Sequence, residues 1–227
     1  MSRGEEAGLP DWLLPVAEAA LGALPGEFSS FRPPAGGGRA GAVLMLFGMG
    51  ETGPDVLLIE RAHDMRSHAG QMAFPGGAVD DDDADEVAAA LREAVEETGL
   101  DPRGVQVFAS LPALFLPPSG FVVTPVLGWW HTPSPVAAVD PREVASVHRV
   151  RIADLVAPVN RLRVRHPSGY VGAAFRLRGD LLVWGFTAGL LDRLLRVAGW
   201  EQPWDDSDPE DLPPDLSAMA GRTGVTG

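Results

Sequence analysis

Residues 85–98 restrict the fold of this chain most, because their spacing predicts an amphipathic helix whose apolar side must be buried. On a helical projection three glutamates lie within an arc of about 100°, and the residues that pack lie opposite them. The glutamates are Glu93, Glu96 and Glu97, and the packing side contains Val87, Leu91, Ala94, Val95 and Thr98. Gly99 is placed to end this helix in the left-handed conformation, with Leu100 folding back onto the apolar side.

Strand-like runs interleaved with helices predict an α/β or α+β sandwich. The predicted strands are residues 42–47, 56–61, 105–111, 121–130, 170–177 and 181–185, with a strand and turn over 150–158. Besides residues 85–98, the predicted helices are residues 11–24, 141–147 and 186–199. The first two strands read as a hairpin, because the loop between them is rich in turn-forming residues.

Composition excludes several classes of protein and of site. The chain of 227 residues has no cysteine, so disulfides, thiol nucleophiles and zinc–thiolate sites are ruled out. Any metal is then held by oxygen or imidazole ligands, which favours Mg²⁺ or Mn²⁺. A formal net charge of −13 disfavours nucleic acid as a partner. The sequence shows no long apolar run and no signal-peptide core, so we expect a cytoplasmic protein without a membrane partner.

A glycine turn precedes the glutamate helix, and the acidic run 80–83 lies between them. Gly76 and Gly77 allow close approach of the backbone to a metal or a phosphate, although an ordinary loop has the same composition. The three glutamates suit a divalent cation, but a solvated helix face also accommodates them. Arg92 lies four residues before Glu96, so a surface ion pair is a further interpretation. Together these features favour a site for a metal and a diphosphate, whereas none of them is sufficient to indicate such a site by itself.

The segment from Arg92 to Leu100, REAVEETGL, matches the second half of the Nudix box, REUXEEXGU, in which U is apolar. The first half of the box has the pattern G-x(5)-E-x(7), and here the loop contains one extra residue. Counting six residues on from Gly77 gives Asp83, and counting eight back from Arg92 gives Ala84. The chain therefore resembles the Nudix family, with the role of the first box carboxylate left open.

The residues just before the box are similar to the extended motif of the coenzyme A diphosphatase subfamily, which runs roughly LLTxRSxxLRxHxGQxxFPGG. The matching positions are Arg61, Arg66, His68, Gly70, Gln71, Phe74, Pro75, Gly76 and Gly77. Ala62 stands where serine is usual, and the extra residue in the box also looks like this subfamily. The segments SGFVVTPVLG, PREVASV and VWGFTAGLL resemble its later parts, so the resemblance covers about residues 40–198.

This resemblance implies an α/β/α sandwich around a mixed β-sheet over residues 39–200. An N-terminal helix and linker (1–38) precede it, and an acidic, mostly solvated tail (201–227) follows it. The implied reaction is hydrolysis of coenzyme A or its derivatives to 3′,5′-ADP and 4′-phosphopantetheine or its acyl form. Other diphosphatase substrates are alternatives, namely ADP-ribose, NADH and nucleoside triphosphates. A catalytically silent module that binds a nucleotide is a further alternative.

The same resemblance assigns the catalytic groups. Glu93 and Glu97 are the implied main ligands of Mg²⁺ or Mn²⁺. Glu96 is implied either as a third ligand or as a residue that contacts the groups bound to the metal. Arg92 is expected to orient a carboxylate by ion pairing. A carboxylate is expected to take the proton of the attacking water, and Glu93, Glu96 and Glu143 are equal candidates for this base.

Substrate binding is expected to involve the glycine turn and the motif before it. The predicted binding residues are Arg61, Arg66, His68, Gln71, Gly76 and Gly77. The two arginines and the histidine suit phosphate contact, but Arg61 also suits an ion pair with the box glutamates. For the histidine, a structural role in a turn is equally compatible with the sequence, and Gln71 also suits ordering of the loop.

Other constellations carry less weight. Ser67–His68 and Ser146–His148 lack the context of a nucleophile elbow, so a serine triad is not expected. The tryptophans suit the core better than a stacking site for adenine, and they include Trp129, Trp130, Trp184 and Trp200. Helix 11–24 is expected to pack on the domain or to support a homodimer.

Overall fold

The computed structural model describes residues 8–24, 28, 37–63, 70–117, 119–214 and 216. The strands are β1 (Arg39–Gly50), β2 (Gly53–Arg61), β3 (Met72–Ala73), β4 (Gly76–Ala78), β5 (Val105–Ser110), β6 (Leu114–Leu116), β7 (Phe121–Trp130), β8 (Val144–Arg151), β9 (Arg161–Arg165), β10 (Val171–Arg176), β11 (Leu182–Val183) and β12 (Glu210–Asp211). The helices are α1 (Leu14–Gly22), α2 (Glu86–Thr98), α3 (Ile152–Val156) and α4 (Gly185–Val197). None of the helices in these ranges is long and apolar enough to cross a membrane.

Strand β1 is the centre of a mixed sheet, which has eight strands within the described residues. It pairs in parallel with β7 and antiparallel with both β2 and β4. The predicted hairpin is confirmed, and its strands extend to Gly50 and Gly53, which pair across a two-residue turn. Because both faces of the sheet are covered, β1 is buried along most of its length.

Helices cover both faces of this sheet, which confirms the predicted α/β/α sandwich. The face covered by α2 buries Ala90 and Ala94 against Leu44 and Trp130. These alanines bring the helix close to the sheet, because their side chains are small. The opposite face is covered by α1 and α4 over a separate core that includes Phe47.

A group of three tryptophans attaches α1 to the domain. The ring of Trp12 lies 5.7 Å from that of Trp129 and 6.0 Å from that of Trp200. Leu13, at the start of the helix, is fully buried in the same core. The predicted packing of residues 11–24 on the domain is therefore confirmed, and Trp129 and Trp200 serve the core, as does the buried Trp130.

A second sheet has the order β11-β10-β9-β12, and of its strands β10 and β11 correspond to the predicted strands 170–177 and 181–185. Its strand β9 was missed because arginines alternate with the apolar Leu162 and Val164 in a run of only five residues. Trp184 packs beside this sheet and stacks on His166.

Residues after Trp200 are held to the domain as far as Leu212. Most of these side chains are exposed, as expected for an acidic tail, but Leu212 is buried and β12 pairs in parallel with β9. The buried guanidinium of Arg161 forms ion pairs with Asp192 and Glu201, and it lies 4.7 Å from the ring of Trp204. The first part of the segment predicted to be a mostly solvated tail is therefore attached to the domain through β12, Leu212 and the contacts of Arg161. Residues 217–227 lie outside the described residues.

Two predictions between residues 141 and 158 are wrong. Residues 141–147 were predicted as a short helix, but a turn at 141–143 leads into strand β8. Residues 150–158 were predicted as a strand and turn, but they contain the end of β8 and helix α3. The turn has a helix-like start, because the backbone N–H groups of Glu143 and Val144 donate to the carbonyl of Asp140. Pairing with β2 then imposes the extended conformation.

Replacing Asp192 with alanine is expected to destabilise the protein by about 3 kcal/mol. The substitution leaves Arg161 with less compensation for its buried charge, and breaking such pairs typically costs roughly 3–5 kcal/mol. The ion pair of Arg161 with Glu201 remains, which places the expected loss at the lower end. Urea unfolding measures this change. The control is Asp211→Ala, which removes an exposed partner of Arg165 and should change little; equal effects of both substitutions would contradict the prediction.

Acid should weaken the turn before β8 through Asp140. Hydrogen bonds from Arg142 lower the pKa of Asp140 from its ordinary 3.8 to about 2. The folded state therefore holds the ionised form more strongly, so the stabilisation is complete above about pH 4 and is lost as pH falls towards 2. Asp140→Asn should lower the urea midpoint at neutral pH and have no effect near pH 2. Because the group is exposed, high salt should reduce the difference; a difference independent of pH would exclude this ionisation as its cause.

Candidate functional site

Helix α2 brings the glutamates to the glycine turn in a defined register. The carboxylate of Asp85 caps its first turn by accepting a hydrogen bond from the N–H of Ala88 at 2.8 Å. Gly99 ends the helix in the left-handed conformation with φ 69°, and Leu100 is buried against the apolar side. Both ends of this helix are therefore fixed by local residues, which is why the sequence predicted its bounds well.

Glu97 is the most buried of the three glutamates, with 6% of its surface exposed. Its Oε2 accepts a hydrogen bond from the N–H of Gly76 at 2.9 Å. Nη1 of Arg61 lies 4.0 Å from its Oε1. Burial raises the pKa of Glu97 to about 7, against the opposing effects of Gly76 and Arg61, and the charges of Glu93 and Glu143 raise it further. The site thus concentrates negative charge in a place with little water.

Glu93 lies one turn before Glu97 and fills the space beside Gly77. A Cβ atom on Gly77 would lie 2.4 Å from Oε1 of Glu93, so any side chain at this position would displace the carboxylate. Burial raises the pKa of Glu93, while its hydrogen bond from Arg92 lowers it. Glycine at this position therefore allows the Glu93 carboxylate to occupy its present place beside the turn.

Arg92 ties the acidic loop to the helix. Its guanidinium donates to both carboxylate oxygens of Asp83, at 3.0 and 2.9 Å, and to the carbonyl of Ala78 at 3.0 Å. It also donates to Glu93 at 3.0 Å and to Glu96 at 3.3 Å. The hydrogen bonds from Arg92 hold the pKa of Asp83 below its ordinary value. Asp83 therefore meets the box arginine in this loop, which answers the question left open by the extra residue.

The remaining predicted residues differ in how close they come to this centre. The side chain of Glu96 is 58% exposed, so it lies at the rim of the site beside Arg92. Glu143 is exposed and approaches from the turn before β8, where its carbonyl accepts a hydrogen bond from the N–H of Ala62. The backbone of Gln71 pairs with Arg61 at 3.0 Å and closes the loop between β2 and β3.

Arg61 is the last residue of β2, and it lies against Glu97. Its Nε is buried without a hydrogen-bond partner among the described residues. Of the two interpretations of Arg61, the ion pair with a box glutamate is the one present in the structure. Arg66 and His68 lie outside the described residues, so their predicted part in binding stays a prediction.

The Ser146–His148 pair is not arranged as a serine triad. The hydroxyl of Ser146 lies 2.6 Å from both Oε2 of Glu60 and Nε2 of His148. A triad needs the histidine between the serine and the carboxylate, whereas here the serine lies between the other two.

The model of the NUDIX domain family matches residues 38–170, which is more than half of the chain. This chain belongs to the Nudix family. It is 42% identical over 156 residues to the Uncharacterized Nudix hydrolase NudL of Cronobacter sakazakii, covering 66% of this chain and 78% of that protein. It is 38% identical over 157 residues to the Uncharacterized Nudix hydrolase NudL of Escherichia coli K12, covering 64% and 76%.

The fold agrees with this assignment. The solved Nudix hydrolase RenU from M. smegmatis aligns with a TM-score of 0.52 at 21% identity, covering 72% of this chain and 87% of RenU. At this identity the likeness concerns the fold alone. Together with the family match it identifies the chain as a Nudix hydrolase with the expected architecture.

Nudix hydrolases generally use divalent metal ions, and the donors of this site fit one. Within the described part of the chain no three His, Asp or Glu side chains converge closely enough to hold an ion alone. Mg²⁺ is commonly bound by one or two carboxylates together with water and substrate phosphates. Glu93 and Glu97 supply two such carboxylates beside the glycine turn, so the site fits an ion that the substrate helps to bind.

Gly77→Ala should weaken binding of Mn²⁺ by about tenfold or more, because Glu93 has to move away from the turn. Isothermal titration calorimetry of the purified protein measures this affinity. A matched control is Gly189→Ala in α4, where an added Cβ meets nothing within 4 Å. That control should keep the metal affinity and stabilise the protein by about 0.5–1 kcal/mol. Unchanged Mn²⁺ affinity in Gly77→Ala would show that Glu93 is not part of the metal site.

Proposed function

We propose that this Nudix hydrolase cleaves the diphosphate of coenzyme A or its derivatives, giving 3′,5′-ADP and 4′-phosphopantetheine or its acyl form. The observation that carries the proposal is the position of Glu97. This box glutamate contacts Arg61 and Gly76, near the two ends of the segment that is similar to the coenzyme A diphosphatase motif. Residues near both ends of the segment thus contact the carboxylate at the centre of the site, which supports a role for the segment in recognising the substrate.

Glu93 and Glu97 are the proposed ligands of Mg²⁺ or Mn²⁺, with Glu96 at the rim. When bound, the ion neutralises the diphosphate and lowers the pKa of a coordinated water. Arg92 holds Glu93 through a hydrogen bond of 3.0 Å, and this fixes the orientation of the carboxylate. The backbone of Gly76 and Gly77 lies within reach of the same group, because neither residue has a side chain to block it.

Glu143 is the proposed base among the three candidates. Glu93 and Glu96 both accept hydrogen bonds from Arg92, which hold their carboxylates in place and occupy oxygens that a water would otherwise contact. The side chain of Glu143 is exposed and forms no ion pair among the described residues. Its charge raises the pKa of Glu97, so the two carboxylates are within electrostatic range of each other, and Glu143 is the proposed acceptor of the proton of the attacking water.

Arg61 has a proposed positioning role. Its ion pair with Glu97 offsets part of the cost of burying that carboxylate. Contacts with the substrate are then assigned to the loop that follows β2, where Arg66 and His68 are the predicted residues. Gln71 contributes through its backbone, which closes this loop on Arg61.

A substrate panel tests the proposal. The protein is incubated with Mg²⁺ or Mn²⁺ and with coenzyme A, ADP-ribose, NADH or nucleoside triphosphates, and the products are separated by chromatography. We expect 3′,5′-ADP from coenzyme A at the highest kcat/KM of the panel. Turnover of another substrate with none of coenzyme A would overturn the assignment of the substrate, and nucleotide binding without any turnover would indicate a silent module.

Two glutamate substitutions should separate metal binding from proton transfer. Glu97→Gln should lower kcat at least roughly 100-fold and weaken Mn²⁺ binding, since even residues outside the coordination shell typically cost about 10- to 100-fold. Glu143→Gln should lower kcat about 100-fold or more and leave Mn²⁺ affinity unchanged. The control is Glu210→Gln in the second sheet, which removes one exposed carboxylate and should change neither quantity. Loss of Mn²⁺ binding in Glu143→Gln would reassign that residue as a ligand.

A further inference from the structure

Arg39, which is exposed, and Phe121, which is half-buried, form a cation–aromatic pair at the edge of the site. They are the first residues of β1 and β7, and the parallel register of these strands places them side by side. The guanidinium carbon of Arg39 lies 4.5 Å from the centre of the Phe121 ring. In a chain with a net charge of −13, Arg39 makes no ion pair with any residue that the structure describes.

The pair lies next to the glycine turn, across Gly41. A Cβ atom on Gly41 would lie 2.9 Å from the carbonyl oxygen of Gly77 and 2.9 Å from Cδ1 of Phe121. The aromatic ring and the turn therefore meet over a residue that has no side chain. Since Gly77 also contacts Glu93, a short path of contacts leads from the box carboxylate to the Phe121 ring.

The geometry of the pair leaves Arg39 able to bind an anion. The contact with the Phe121 ring leaves the N–H groups of the guanidinium available, since they form no ion pair among the described residues. Two of these N–H groups can donate hydrogen bonds to two oxygens of one phosphate. Contact with the ring already restricts the Arg39 side chain, so less conformational entropy is lost when it binds. The Cα atom of Arg39 is about 7 Å from that of Gly41, two residues along an extended strand.

We propose that Arg39, held against the ring of Phe121, binds the phosphate that the substrate carries one ribose away from the hydrolysed diphosphate. In coenzyme A this is the 3′-phosphate, so the pair would select 3′-phosphorylated adenosine diphosphates. The inference rests on the proposed function, because it takes the glycine turn as the place of the diphosphate. Arg61 and Arg92 are less suited to this contact, since both are engaged with carboxylates of the box and its loop.

Steady-state kinetics with coenzyme A and dephospho-coenzyme A test this assignment, since the two substrates differ by the 3′-phosphate alone. Arg39→Gln should raise KM for coenzyme A about tenfold or more and leave KM for dephospho-coenzyme A unchanged. Arg39→Lys keeps the positive charge but cannot donate two parallel hydrogen bonds, and Phe121→Leu removes the aromatic ring against which Arg39 packs. Both substitutions should therefore raise KM for coenzyme A by a smaller factor and leave KM for dephospho-coenzyme A unchanged. Urea unfolding of each variant verifies that the fold is retained.

Arg165→Gln is the matched control, because it removes one positive charge from the second sheet, where Arg165 pairs with Asp211. It should change KM for neither substrate. An equal change for both substrates in Arg39→Gln, or no change for either, would overturn the inference and leave Arg39 with a structural role at the strand end.

Binding of product fragments separates this inference from the proposed function. Calorimetry with 3′,5′-ADP and with 5′-AMP requires no turnover, so it applies even to a protein that does not hydrolyse coenzyme A. We expect wild type to prefer 3′,5′-ADP and Arg39→Gln to lose that preference. Hydrolysis of coenzyme A together with an unchanged preference in Arg39→Gln would overturn the inference alone. Loss of the preference in a protein without this hydrolysis would overturn the assigned reaction and retain the phosphate contact.

Discussion

The hydrogen bond between the N–H of Gly76 and the buried carboxylate of Glu97 is the contact on which the site depends. It joins the turn after β3 to helix α2, two elements that the chain separates by an acidic loop. Burying a carboxylate is costly unless its oxygens are satisfied, so the turn and the helix have to be in register before the helix can dock. The alanines on the packing side of α2 permit this approach, because they bring its backbone close to the sheet.

Arg92 provides a second connection, which compensates for an irregular loop. Its guanidinium contacts Asp83, Glu93 and the carbonyl of Ala78, and therefore holds loop, helix and turn together. The loop contains one residue more than the general box, and aspartate has a shorter side chain than glutamate. The structure brings Asp83 to the arginine nevertheless, so the additional residue does not prevent the contact between the loop and the helix that carries Glu93 and Glu97.

Local signals predicted the parts of the fold that local contacts determine. The bounds of α2 followed from Asp85, Gly99 and the helical spacing, all of which lie within the helix or beside it. Residues 141–147 were mispredicted as a helix because pairing of β8 with β2, almost ninety residues earlier in the chain, imposes an extended conformation from Val144 onwards. The sequence also predicted that the three glutamates lie on one side of α2. It did not predict how deeply each is buried, because the turn that covers Glu97 and leaves Glu96 exposed belongs to another element. Strand β9 was missed because its short run alternates arginine with apolar residues, and β12 was missed because its two residues pair only with β9 among the strands that the structure describes.

The missing side chain at Gly77 also bears on how such an enzyme can change during evolution. Any larger residue there would displace the carboxylate of Glu93, so a substitution at this position changes the site itself. The strand ends are different, because Arg39 is exposed and rests on a single aromatic ring. A lineage that kept the box could therefore exchange residues at these ends in small steps, and would acquire new substrates there while its hydrolytic centre stayed the same.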